Sequence, residues 1–216
     1  MKSIEWKTDI PINLEQVSLK GRLQKPENAR GLVVFSHGSG SSRLSSRNNY
    51  VASALSSHGF ATLLFDLLTE KEDRVYSNRF DIDLLTGRLL EVTAWLKKQP
   101  ELSHLAVGYF GASTGAASAL KAAAVLKDHI KAVVSRGGRP DLASDDELKA
   151  LTTPVLLIVG GFDTEVISLN REAFMMIRST KHLEIVANAS HLFEEPGKLQ
   201  EVTDLSINWF DQYLKL

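Results

Sequence analysis

The sequence predicts an α/β domain: one doubly wound, mostly parallel sheet of about eight strands with helices on both faces. Three observations lead there. Short runs are apolar on both parities, the pattern of strands buried on both faces of a parallel sheet. Helical patterns lie between these runs, which implies βαβ units. The length of 216 residues suits one domain at roughly 100–200 residues each.

The predicted strands are Gly31–His37, Ala61–Asp66, Leu105–Phe110, Lys131–Ser135, Pro154–Gly160 and His182–Val186. Ile4–Thr8 and Gln16–Gln24 read as a leading antiparallel pair. Ile82, Leu85, Leu89, Val92 and Leu96 recur at helical spacing until Pro100 ends the pattern. Ala116, Ala119, Leu120, Ala123 and Ala124 form a small-residue helix suited to close packing on a sheet. Leu199, Val202, Trp209, Phe210 and Tyr213 mark one face of a C-terminal helix. In such sheets ligands bind beyond the carboxyl ends of the strands, so the chemistry belongs in the loops after each run.

Composition narrows the function. Lys and Arg total 25 against 26 Asp and Glu, a net charge of -1, which argues against an electrostatic nucleic-acid binder. Cysteine is absent, which removes disulfides, thiolate metal sites and Cys nucleophiles. The early residues mix charge with no apolar signal core, and no run reaches the ~18 residues of a membrane span. The expectation is a cytoplasmic protein, monomer or homodimer, with no membrane or nucleic-acid partner and no metal or organic cofactor.

Gly111-Ala112-Ser113-Thr114-Gly115 fits G-x-S-x-G, directly after a predicted strand and opening the Ala-rich helix. That setting is what a nucleophile elbow requires. The small residues give the sharp turn room, and Ser113 stands at a helix N-terminus, where N–H groups can meet a developing oxyanion. The bland alternative is a Ser that only caps the helix.

A Ser hydroxyl needs a base. With such an elbow the partners follow in the order Ser, acid, His. Of six histidines, only His182 and His191 come late enough. His182 begins a strand and lies at its amino end, whereas His191 follows the same strand on the site side. His191 is therefore the expected base. Asp163, in Gly161-Phe162-Asp163 after the preceding strand, is the expected acid; its alternative is to cap the next helix. The backbone N–H of Thr114 is the first expected oxyanion donor, and the loop after Gly31–His37 should supply another. That loop, His37-Gly38-Ser39-Gly40-Ser41-Ser42-Arg43, has Arg where a dinucleotide fingerprint needs its last Gly. It also has no Lys for a P-loop.

These segments together resemble the α/β-hydrolase superfamily, and within it the small dienelactone-hydrolase-like group. The marks are SHGSGSSR at 36–43, GASTG at 111–115, SRGGRPDLA at 135–143, GGFD at 160–163 and ASHLF at 189–193. The resemblance spans nearly the whole chain. It implies a serine hydrolase of ester-like bonds, a Ser39 N–H as second oxyanion donor with Gly40 as the alternative, and His37 as a buttress of that loop. The dienelactone hydrolases proper use a Cys nucleophile where this chain has Ser113, so their substrate does not carry over. A hydrolase frame serving only to bind ligand is the rival reading.

Arg43 and Arg136, on the site side, are candidates to read an anionic substrate. Pairing with nearby acids such as Asp66 and Asp141 is the favoured alternative for the loop arginines. About 18 residues separate the strand ending at Ser135 from Pro154, too few for a cap domain. Thr69–Phe80 is polar enough to serve as a mobile flap over an open site.

Overall fold

The computed structural model describes residues 4–214. Eight strands form one sheet: β1 (Ile4–Asn13), β2 (Ser18–Pro26), β3 (Leu32–Ser36), β4 (Ala61–Phe65), β5 (Val107–Ala112), β6 (Ile130–Arg136), β7 (Val155–Gly160) and β8 (Lys181–Val186). Their order is β1-β2-β4-β3-β5-β6-β7-β8. β1 and β2 are antiparallel, β2 is antiparallel to β4, and every other pairing is parallel. Every residue of β3, β4, β5 and β7 is buried, which is why these runs are apolar on both parities.

β1 runs further than the predicted Ile4–Thr8. It continues to Asn13 through a bulge between Lys7 and Ile10, where Asp9 takes φ 55. The bulge interrupts the alternation that would mark a longer strand.

Four of the five longer helices cover the sheet in pairs. α3 (Ile82–Leu96) and α4 (Thr114–Leu126) pack on one face, and α1 (Ser46–Ser57) and α7 (Lys198–Tyr213) on the other. Leu89, Val92, Ala119 and Ala123 belong to the first core; Val51, Leu55, Val202 and Phe210 belong to the second. α6 (Thr164–Met176) follows β7, while α2 (Glu70–Asp73) and α5 (Asp145–Ala150) are short.

The strand order reverses around β3: the chain goes from β3 outward to β4, then returns to β5 on the other side. The loops after β3 and β5 therefore diverge to opposite faces and leave a crevice at the carboxyl ends of the strands. The β6–β7 connection holds only a short 3-10 turn at Pro140–Leu142 and α5, with no cap domain. The Thr69–Phe80 segment differs from the expected mobile flap. It folds into α2 and a 3-10 turn at Tyr76–Phe80, fixed by a Thr69–Glu72 capping box. Arg88 reaches Glu72 at 2.5 Å and Arg79 reaches Asp73 at 2.8 Å, tying both pieces down.

Candidate active site

Ser113 sits between β5 and α4 with φ 50 and ψ -123. A positive φ with this ψ lies outside the allowed regions of a residue with a Cβ, and such strain is typical of functional turns. Gly115 makes the turn fit. A Cβ there would lie 2.2 Å from the Ser36 carbonyl oxygen and 2.4 Å from that of His37. The Ser113 side chain makes no capping bond to α4, so the bland alternative fails.

The loops after β7 and β8 are laced together by backbone bonds. Gly161 N–H donates to Val186 at 2.8 Å, and Phe162 N–H donates to Ala189 at 2.9 Å. Gly160 permits the approach, since a Cβ on it would stand 2.4 Å from the Ser190 carbonyl oxygen. Phe193, buried to 1% exposure, anchors the far side of the His191 loop. The result is short and direct: His191 Nδ1–H donates to Asp163 Oδ2 at 2.6 Å. Asp163 makes no side-chain cap to α6. With Nδ1 engaged, Nε2 is the ring nitrogen that remains for other chemistry. His182 lies at the start of β8, where its side chain meets Glu184 at 3.2 Å.

Ser113 and His191 line one cavity of about 250 Å³, together with Ser39, Ser41, Ser45, Arg47, Asn48 and Arg136. A larger hollow of about 390 Å³ lies by Leu105–Val107 and Lys131, near the amino ends of β5 and β6 and away from these groups.

His37 is a buttress, as expected. Its Nδ1–H donates to the Gly38 carbonyl at 2.9 Å, and its Nε2 accepts the Leu67 N–H at 3.1 Å. Burial holds its pKa below the ordinary histidine value, and the Gly38 bond only partly opposes this. Gripping the Gly38 carbonyl fixes the peptide plane, so the Ser39 N–H on its opposite side is aimed as well. That N–H is not free: it donates to the Thr114 hydroxyl at 2.9 Å. Ser39 thus has its predicted neighbour, but the donor is occupied. Thr114 opens α4, where the first N–H groups have no acceptor within the helix.

The arginines divide. Arg43 is a correction: its guanidinium reaches Asp66 Oδ2 at 2.6 Å and Asp9 Oδ1 at 3.1 Å, and it is absent from the cavity lining. Two carboxylates consume it, so it has nothing left for substrate. Arg139 is likewise held by Asp141 at 2.7 Å. Among the described residues, no carboxylate pairs with Arg136. It is 8% exposed, its Nη2 donates to Asn48 Oδ1 at 3.3 Å, and its Nε and Nη1 are buried without an acceptor. Burial, with the nearby Arg47 charge, pushes its pKa down to about 10, which leaves it charged at neutral pH.

The profile of the dienelactone hydrolase family matches residues 19–207. The chain belongs to the dienelactone hydrolase family. It is similar to a crystal structure of dienelactone hydrolase from Anabaena variabilis, with TM-score 0.94, 49% identity, 98% of this chain and 99% of that one covered. Est1E from Butyrivibrio proteoclasticus shares the fold at TM-score 0.81 and 17% identity, covering 95% and 98% of the two chains. A Mycobacterium tuberculosis protein with the provisional name of phosphoribosyl transferase is 52% identical over 219 residues, covering 98% of this chain and 49% of its own length. The chain thus spans about half the length of the curated relatives it matches.

The family assignment rests on the profile match and on the likeness to the Anabaena variabilis protein, and Est1E adds the fold alone. Sequence reasoning did not single out Asn48 as a contact of Arg136. Asn48 lies on α1, is 2% exposed, and occupies the buried face beside Val51, Ala52 and Leu55. A polar residue on the inner stripe of a helix is the signal that was there to find.

Proposed function

We propose that this protein is a serine hydrolase of short, ester-type substrates, acting through Ser113, His191 and Asp163. The observation that carries the reading is the 2.6 Å His191–Asp163 bond beside the cavity that His191 shares with Ser113. Asp163 fixes the tautomer with its proton on Nδ1, so Nε2 is the base. Nε2 takes the Ser113 proton as Oγ attacks the carbonyl carbon, and the carbonyl oxygen becomes the oxyanion. The Thr114 N–H meets that oxygen. The Ser39 N–H joins it once the Thr114 hydroxyl turns aside. The imidazolium then protonates the leaving alcohol, and the acyl group stays on Ser113. Water, deprotonated by Nε2, repeats the sequence and frees the acid.

A cavity of about 250 Å³ favours small acyl groups. Esters, thioesters and lactones present the same carbonyl to this machinery. The transferase name belongs to relatives about twice as long, and we assign the half matched here to hydrolysis. A panel of nitrophenyl esters of rising acyl length tests the reading. The expected result is a burst of nitrophenol equal to the enzyme concentration, with acetate and butyrate esters fastest. Absence of both burst and turnover across the panel would overturn it in favour of a ligand-binding role.

A further inference from the structure

Among the described residues that line the cavity, Arg136 is the one whose charge no carboxylate answers. None of the described residues lining that cavity is an Asp or a Glu. Arg47, which also lines it, has one partner, Glu194, at 2.7 Å; that carboxylate is 61% exposed and sits at the rim. The Arg47 Nε is buried without an acceptor. Two guanidinium groups of like charge therefore face one small space, surrounded by the neutral Ser41, Ser45 and Asn48.

A buried, unpaired charge costs stability. Arg43, Arg79 and Arg139 show how this fold pairs its other loop arginines with carboxylates. Arg136 lacks that solution and stands beside Ser113. We propose that the substrate carries a phosphate monoester, held against Arg136 and Arg47 while Ser113 attacks a carbonyl a few bonds away. Arg136 Nε and Nη1 and Arg47 Nε are three buried donors without an acceptor; a phosphate monoester presents three terminal oxygens to them, where a carboxylate presents two. The small cavity sets the distance, because anion and carbonyl must share about 250 Å³. Short phosphorylated esters or lactones have these dimensions. The attachment of the anion to an ester rests on the hydrolase reading above; the anion site itself does not.

The test has two arms. Thermal unfolding at pH 8 is measured in inorganic phosphate, sodium acetate and sodium chloride at matched ionic strength. Phosphate is expected to raise the midpoint above both other salts, and Arg136→Met to remove the difference. Arg47→Gln is expected to weaken it and serves if the first variant fails to fold. Equal stabilisation by acetate, or a phosphate effect that persists in both variants, would overturn the proposal. In the second arm, kcat/KM is compared for the nitrophenyl esters of phosphoglycolic and acetic acids. The ratio should favour the phosphorylated ester and fall by about ten- to a hundredfold in Arg136→Met, the worth of a charged hydrogen bond. Turnover of neither ester beside an intact phosphate effect would refute the hydrolase reading and leave the anion site standing. Acetate-ester turnover with no phosphate effect would do the reverse.

Discussion

Arg136→Met should make the protein more stable. A guanidinium pKa pushed from 12.5 to about 10 corresponds to about 3 kcal/mol against holding the charge in that place. Methionine keeps an unbranched apolar stem in the same space and carries no charge. The substitution gives up the 3.3 Å bond to Asn48, at a cost of about 1 kcal/mol. The balance is a gain of about 1–2 kcal/mol. For a protein of this size that raises the melting midpoint by about 2–8 °C. Calorimetry in Tris-chloride at pH 7.5, without phosphate, reads it. A midpoint several degrees below wild type would refute the reasoning, because Arg136 would then be a supporting member of the fold and its missing counter-charge would signify nothing. Stability gained where function is lost is the usual mark of a site residue kept at a structural cost.

Other outcomes follow from the same geometry. His191→Ala should lower ester turnover by orders of magnitude and His182→Ala should leave it near wild type, as steady-state rates will show; the reverse would mean the wrong histidine was assigned. Asp163→Asn should lower kcat severely with a near-native circular dichroism spectrum, because an amide can hold the wrong tautomer. Gly115→Ala should cost at least about 3 kcal/mol in a urea titration, since its Cβ would press on two backbone oxygens that have little freedom to move. His37 sets a pH dependence. Its folded pKa is lowered by burial, so below about pH 6.5 the unfolded chain binds a proton that the folded chain refuses. That contribution to stability is complete above pH 6.5 and is lost as the pH falls toward the folded value. Wild type should therefore lose melting temperature more steeply than His37→Asn between pH 7.5 and 5, and parallel curves would contradict this.

The buried strands were legible because a strand covered on both faces must be apolar throughout, and β3, β4, β5 and β7 are. The elbow was legible because a turn this tight admits few side chains, and Gly115 has two carbonyl oxygens within 2.4 Å of where its Cβ would be. The partners proposed for Ser113 came from topology, since the loops after the parallel strands gather at one end of the sheet. What stayed hidden was long-range pairing. Nothing local to Arg43 says that Asp66 and Asp9 will converge on it, or that Arg136 will find only an amide. α1 was obscure because its inner face carries Asn48 and Ser56 among its apolar residues, which blurs the helical period. The polar Thr69–Phe80 segment reads as a flap by composition. Its order comes from Arg88, a residue of α3, reaching Glu72.

The central claim is that Ser113 is the nucleophile, and a fluorophosphonate probe tests it most directly. The probe reacts with a serine only where a base and an oxyanion site activate it. Peptide mass spectrometry of labelled protein should place one adduct on Ser113. Ser113→Ala should melt cooperatively and take up no label. An adduct on another residue, or undiminished labelling of Ser113→Ala, would contradict the account.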